Sequence, residues 1–183
     1  MPECDEAVIF GKLSRISDSY NTSKNTLTRV MSSNMNDRTE LSMSVLMTPD
    51  MANFSGNVHG GTILKLLDQV AYACASSYSS AYVVTLSVDQ VLFKEPIKVG
   101  EMVTFLATVN YVGRTSMEIG IRVEAQNIRN GTKRHTNTCY FTMIAVDEQG
   151  KAKPVQPLEL NTPLQQCRFD AALKRRKLRL QLA

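Results

Sequence analysis

The amino-acid sequence predicts an α+β domain in which an antiparallel β-sheet wraps around one long central helix. Three features of the chain predict this class. One helix-like segment follows the first strand-like segment, its apolar face is broad, and four long strand-like segments joined by short turns come after it. The chain has 183 residues, which fits one domain, and its content of 43% hydrophobic and 21% charged residues is sufficient for a core.

The first element is a strand that we expect to begin at Leu41. There the sequence LSMSVLM alternates apolar and polar residues, as a half-buried strand does. Residues 1–40 are rich in Ser, Asn and Thr and have weak periodicity, so we expect a poorly ordered extension that is not a secretory signal. After the strand, MTPDMANFSGNVHGG contains Pro, Asp, Asn and Gly and is typical of a loop.

The second element is a helix from Gly61 to about Tyr78. Its projection at 3.6 residues per turn places apolar side chains on one face spanning roughly 200°. A face this wide indicates that other parts of the structure largely enclose the helix. The residues on this face are Ile63, Leu64, Leu66, Leu67, Val70, Ala71 and Cys74.

Four strands are predicted after the helix. Because short turns separate them, we expect the sheet to be antiparallel and sequentially paired. The domain is expected to cover residues 41–160, and residues 161–183 to form a basic helix on the surface. The four predicted strands are 82–93, 101–112, 115–128 and 133–146.

The positive charge is concentrated at the C-terminal end of the chain. The formal net charge is +4, and residues 164–183 contribute six basic and one acidic side chain, so they carry +5 and the remainder carries −1. A nucleic-acid-binding surface is therefore not expected over the domain. The four cysteines are widely spaced, which predicts neither a zinc site nor a disulfide framework and favours a reducing, cytoplasmic location. The sequence contains no uncharged apolar run of about 18 residues, so it predicts no transmembrane helix.

Asp68 is the unusual residue of the predicted helix, because it lies at the border of the apolar face. A carboxylate in such a place is either partly desolvated or held by a partner. Its position alone leaves two interpretations open: a surface acid paired with Lys65, or a general base.

Two glycines, Gly60 and Gly61, lie where this helix begins, at the end of the segment NVHGG. Glycine lets a ligand approach the backbone, and the first N–H groups of a helix have no intrahelical partner. A thioester carbonyl placed there would be stabilised as an oxyanion, and one such donor typically contributes about 3 to 4 kcal/mol. The alternative is an ordinary turn and helix cap. The combination of this loop with Asp68 favours the functional interpretation.

The run DMANFSGNVHGGTILKLLDQVAYACAS closely resembles the active-site segment of hotdog-fold acyl-coenzyme A thioesterases, the bacterial and brain-type acyl-CoA hydrolases. VVTLSVDQVLFKEPIKVGEMV, NYVGRTSMEIGIRVEAQN and YFTMIAVDEQGKAKPVQPLE extend the likeness over roughly residues 41–160. The resemblance implies a hotdog fold and hydrolysis of fatty acyl-CoA to free acid and coenzyme A. It also implies that no metal or separate cofactor is needed, and that the site is shared within dimers that assemble into hexamers.

The same resemblance assigns roles to individual residues. Asp68 would activate the attacking water, Asn53 would orient the water or the carbonyl, and Gly60 and Gly61 would form the oxyanion hole. Asn57, four residues after Asn53, is an alternative for the asparagine and a candidate substrate contact.

Coenzyme A carries phosphates, so its binding site should combine basic side chains with hydroxyl and backbone donors. His59 in the loop is a further candidate contact. Each of the charged residues could also be a solvated side chain at a strand end. The remaining candidates are Lys94, Arg114, Thr115, Ser116, Lys133 and Arg134.

Two other functions remain open at this stage. His59 is compatible with a hotdog hydratase or dehydratase, which uses a histidine and an acid on the same scaffold. A non-catalytic module that binds acyl-CoA for regulation is the second alternative. The product distinguishes these functions, since only a thioesterase releases free thiol from acyl-CoA.

Overall fold

The structure, a computed structural model, describes residues 38–182. Five strands form an antiparallel sheet in the order β1-β3-β4-β5-β2, and the predicted α+β class is confirmed. A single 3₁₀ turn, Pro49–Met51, lies between the first strand and the first helix. The expectation for residues 1–37 lies outside the described residues. In chain order the elements are β1 (Glu40–Leu46), α1 (Gly60–Ser79), β2 (Tyr82–Val88), β3 (Glu101–Val112), β4 (Ser116–Asn127), β5 (Lys133–Val146) and α2 (Pro163–Leu182).

The core lies between α1 and one face of the sheet. Alternate residues of β4, such as Ile119 and Ile121, are fully buried and belong to the same cluster as Leu67 and Val70 of α1. This arrangement follows from the two periodicities, since a strand presents every second side chain to a helix that presents every third or fourth. The helix therefore packs against one face of the sheet.

The prediction that the strands pair sequentially is wrong for β2. This strand pairs with β5 at the edge of the sheet, whereas β3 pairs with β1 and β4. The following segment first runs beside β5, where Asp89 N–H donates to the Tyr140 carbonyl at 3.0 Å. It then crosses to the loop before α1, where Val58 N–H donates to the Ile97 carbonyl at 2.8 Å. The predicted strand 82–93 accordingly ends at Val88.

One flank of α1 is more exposed than the sequence predicted. Leu64, Asp68 and Tyr72 follow each other at intervals of four residues and lie along one line of the helix. Leu64 keeps 41% and Tyr72 40% of its surface exposed. In this single chain the helix is therefore only partly enclosed, and the exposed flank lies beside the edge strand β2.

Helix α2 packs on the sheet face opposite α1. A capping box begins the helix, with Thr162 Oγ1 accepting from Gln165 N–H at 3.2 Å and Gln165 Oε1 accepting from Thr162 N–H at 3.0 Å. The side chain of Glu118, only 1% exposed, binds Arg175 at 2.6 Å and Arg179 at 2.8 Å. The basic side chains of this surface helix therefore do not all face solvent, because Arg175 and Arg179 face the sheet and pair with Glu118.

None of the helices within residues 38–182 is long and apolar enough to cross a membrane.

Candidate active site

Asn53 is held by the loop that precedes α1. Its Oδ1 accepts hydrogen bonds from Ser55 N–H at 2.9 Å and Asn57 N–H at 3.2 Å. Because both partners are donors, the amide oxygen must face them. The amide Nδ2 of Asn53 then points away from the loop and has no hydrogen-bond partner within residues 38–182. The loop thus presents a fixed N–H donor.

The alternative residue Asn57 is held differently. Its backbone forms a bridge with Lys98, which fixes the loop against the segment before β3. Its side chain makes no hydrogen bond to any part of the chain that the structure describes. The loop therefore orients the side chain of Asn53 and leaves that of Asn57 unrestrained by hydrogen bonds.

His59 caps the N-terminus of α1. Its Nδ1 accepts a hydrogen bond from Gly61 N–H at 3.0 Å, so the ring proton lies on Nε2. This contact engages the Gly61 N–H within the chain, and the role of Gly61 as an oxyanion donor stays a prediction. The N–H of Gly60, the first residue of the helix, has no intrahelical partner and remains directed out of the helix start. The ring of Phe93 lies beside Gly60, within 3.8 Å of the place a Cβ would occupy.

Asp68 lies two turns into α1 on the exposed flank. Thr85 of β2 donates its hydroxyl to Asp68 Oδ1 at 2.7 Å, a charge-assisted hydrogen bond that fixes one carboxylate oxygen, while Oδ2 has no hydrogen-bond partner within residues 38–182. Lys65 forms no ion pair with Asp68, so the simple surface pair is not observed. Thr85 was not among the residues predicted from the sequence. It lies in a predicted strand, but no local pattern in the sequence indicates that this strand brings it to Asp68.

Two aromatic rings lie along the same flank of α1 as Asp68. Tyr72 and Tyr82 meet edge to face, with ring centroids 5.9 Å apart. Tyr82 is 61% exposed. An exposed apolar area beside an unpaired sheet edge is typical of a surface that another chain covers.

The separation of Asp68 from the helix start limits what one chain can do. Asp68 lies eight positions after Gly60 along α1, and a rise of about 1.5 Å per residue places them roughly 12 Å apart. A carbonyl bound by Gly60 N–H is therefore out of reach of a water held by Asp68 of the same chain. Within one chain, the candidate base and the candidate oxyanion donors are present but not together.

Arg134, a predicted phosphate contact, is engaged by acids of its own chain. Its guanidinium binds both oxygens of Glu101, at 2.6 and 2.7 Å, and the Pro96 carbonyl at 2.7 Å. Glu95 lies 3.0 Å from its Nε. The hydrogen bond from Arg134 holds the pKa of Glu101 below its usual value, and the same pair raises the pKa of Arg134. Arg134 therefore stabilises the fold.

The other predicted coenzyme A contacts lie at two ends of the sheet. The exposed side chains of Lys94 and Lys133 belong to the end with the β4–β5 turn. Arg114, also exposed, lies in the β3–β4 turn with Thr115 and Ser116, which line a cavity beneath α2. The structure thus does not gather all the predicted contacts around one ligand.

The two free cysteines of the described chain, Cys74 and Cys139, supply no reactive thiolate. Burial raises the pKa of the Cys74 and Cys139 thiols to about 12, so both are protonated at neutral pH. Cys167 of α2 takes part in a disulfide, which the expectation of a chain without a disulfide framework did not include.

Comparison with known proteins links this geometry to one family. Residues 55–132 match the model of the thioesterase superfamily. The chain is 51% identical to protein VdlD of Helicobacter pylori over 143 residues, which covers 78% of this chain and 82% of VdlD.

Solved structures of the same fold are also similar. A hexameric acyl-CoA thioesterase crystallised without ligand is 34% identical, with a TM-score of 0.76, and the match covers 79% of this chain and 93% of that one. An acyl-CoA hydrolase of Staphylococcus aureus, in complex with butyryl coenzyme A, coenzyme A and coenzyme A disulfide, is 29% identical, with a TM-score of 0.71 and coverages of 79% and 90%. Further structures of that hydrolase carry an alanine in place of one aspartate, one asparagine or one threonine.

Proposed function

Because this chain belongs to the thioesterase superfamily and is an acyl-coenzyme A thioesterase, we propose that it hydrolyses fatty acyl thioesters with Asp68 as the general base. Asn53 and the N–H of Gly60 bind the thioester carbonyl, and Thr85 orients the base.

The observation that carries this proposal is the contact between Thr85 and Asp68, combined with a sequence spacing. In the Staphylococcus aureus hydrolase, the replaced aspartate lies 15 positions after the replaced asparagine and 17 before the replaced threonine. In this chain Asn53 precedes Asp68 by 15 positions, and Thr85 follows Asp68 by 17. No such coincidence holds for Asn57. The spacing therefore supports Asn53 as the asparagine of the site and adds Thr85 to it.

The chemistry needs a base, an oxyanion site and a leaving group. Asp68 accepts a proton from water as the water oxygen bonds to the thioester carbon. The carbonyl oxygen becomes an oxyanion that receives hydrogen bonds from Asn53 Nδ2 and Gly60 N–H. The intermediate then breaks its carbon–sulfur bond, the thiolate of coenzyme A leaves, and the proton held by Asp68 is returned to the products. Free acid and coenzyme A result.

The site is completed by a second copy of the chain. The roughly 12 Å between Gly60 and Asp68 along α1 prevents one chain from placing both on one carbonyl. Two copies whose helices run antiparallel would bring Asp68 of one to the Asn53 loop of the other, and would cover the exposed flank around Tyr72 and Tyr82. The hexameric relative supports assembly beyond a monomer, which we take to be a trimer of such dimers.

Coenzyme A is held outside this reacting centre. The exposed cations Lys94, Arg114 and Lys133 are the candidate phosphate contacts, because phosphate needs positive side chains at an accessible surface. Arg134 is left out, since its guanidinium is already bound by Glu101.

Release of free thiol from a series of acyl-CoA substrates tests the proposal. Asp68→Ala should lower kcat by several hundredfold or more, since the base is lost, while its circular dichroism spectrum stays unchanged. The asparagine is tested by a matched pair: Asn53→Ala should lose roughly 100-fold in kcat, and Asn57→Ala little. Full turnover by Asp68→Ala would remove this residue from the mechanism, and a larger loss in Asn57→Ala would transfer the role to Asn57.

A further inference from the structure

A cavity of about 640 Å³ lies between the C-terminal half of α2 and the sheet face opposite α1. Its size falls within the range of roughly 300 to 1,000 Å³ that is usual for small-molecule sites. Most of its wall is apolar, with Leu86, Met117, Ile144 and Leu180 among the lining residues. Asp68 and Asn53 do not line it, so it is separate from the catalytic residues proposed above.

Two acids, Asp89 and Glu118, and two bases, Arg176 and Arg179, line this cavity, and a third base, Arg175, pairs with Glu118 from outside the wall, so the cluster carries one net positive charge. Glu118 binds Arg175 and Arg179, and Asp89 binds Arg179 at 2.7 Å. The remaining cation on the wall is Arg176, whose guanidinium forms no ion pair within residues 38–182 and lies 5.8 Å from the Tyr111 ring. The cavity therefore combines an apolar interior with one uncompensated positive group.

We propose that this cavity binds the free fatty acid released by the enzyme, with the carboxylate on Arg176 and the alkyl chain beneath α2. A fatty acid matches this lining, because its single negative charge complements Arg176 and its apolar tail complements the apolar side chains. Hydroxyl groups of Thr115 and Ser116, which also line the cavity, are further donors for the carboxylate. The nucleotide of coenzyme A fits less well, because it has several charges and little apolar surface.

The ligand's identity rests on the proposed function, since a fatty acid is present at the enzyme only if fatty acyl-CoA is its substrate. The site itself is read from Arg176 and Leu180, neither of which has a role in the proposed hydrolysis. Binding and turnover can therefore be measured separately on the same preparation.

The experiment is calorimetric titration of the full chain with dodecanoate and, as a neutral probe, dodecanol. Arg176→Gln should weaken dodecanoate binding roughly fivefold, the effect of losing one partly screened charge pair, and leave dodecanol binding unchanged. Leu180→Asn should weaken both ligands. The matched controls on the same helix are Lys177→Gln and Leu178→Asn, whose side chains do not line the cavity and should leave both affinities unchanged.

Coenzyme A at saturation should not displace dodecanoate. Mutual displacement would place dodecanoate in the catalytic site or the coenzyme dock, and would overturn the proposal. Unchanged dodecanoate affinity in both Arg176→Gln and Leu180→Asn would also overturn it. If Leu180→Asn then changes the sedimentation coefficient as well, the cavity is covered by a second copy of the chain rather than by a fatty acid. If dodecanoate binds as expected but fatty acyl-CoA is not hydrolysed, the proposed function fails and the site remains.

Discussion

Replacing Thr85 by alanine removes the hydrogen bond that it donates to Asp68 across 2.7 Å. A hydrogen bond to a charged group contributes about 1.5 to 3 kcal/mol, and 1.4 kcal/mol corresponds to a tenfold change. If this bond holds the base in its reactive orientation, kcat should fall roughly 10- to 100-fold. KM should change little, because Thr85 does not bind the acyl or coenzyme part of the substrate. The assay is thiol release under saturating and limiting acyl-CoA.

Serine is the matched control at this position. Thr85→Ser keeps the hydroxyl and should recover most of the kcat lost in Thr85→Ala, whereas a purely structural role of the threonine methyl group would leave both variants impaired. Thr85→Ser should unfold at nearly the wild-type temperature and Thr85→Ala a few degrees lower, because the lost hydrogen bond lies at an exposed site. A kcat within twofold of wild type in Thr85→Ala would refute the view that this contact orients the base.

Two further predictions concern stability. The pKa of Glu101 is lowered in the folded chain by Arg134, so its contribution is present above the unfolded pKa of about 4.3 and is lost as pH falls through the folded pKa. In urea unfolding at pH 7, Glu101→Gln should therefore be less stable than wild type by about 1 to 2 kcal/mol. The difference in unfolding free energy between the two proteins should disappear below about pH 4, and a difference that grows in acid would contradict this. Replacing both Arg175 and Arg179 by methionine leaves the buried Glu118 carboxylate unpaired and should lower the free energy of unfolding by about 3 kcal/mol, measured in the same way. Adding Glu118→Gln to that variant should restore part of the lost stability. No recovery would argue against a charge effect.

The parts of the fold that follow from local pattern were predictable from the sequence. The predicted strands 101–112 and 133–146 coincide with β3 and β5, because long alternation specifies both the strand and its buried face. The extent of β2 was not predictable in the same way. Its apolar pattern continues to Phe93, but the regular ladder with β5 ends at Val88, and the segment beyond it crosses to the loop before α1.

The site was predictable where chemistry and local sequence coincide, and not where it depends on distant partners. Asp68 stands out as an acid beside an apolar helix face, and the loop geometry around Asn53 agrees with the role proposed from the resemblance. Thr85 becomes meaningful only when β2 and α1 are packed together. The arginines of α2 looked like a solvated surface for the same reason, since Glu118 is 57 positions before Arg175.

The most direct test of the two-chain site mixes two inactive variants. Asn53→Ala and Asp68→Ala chains are coexpressed with different tags, and the thiol-release rate of the mixture is compared with that of each variant alone. If each site takes Asn53 from one copy and Asp68 from the other, random dimers include half that contain one intact site, and the mixture should recover roughly a quarter of the wild-type rate. A mixture that contains mixed dimers, shown by sequential purification on both tags, and yet remains as inactive as its parents would contradict the shared site.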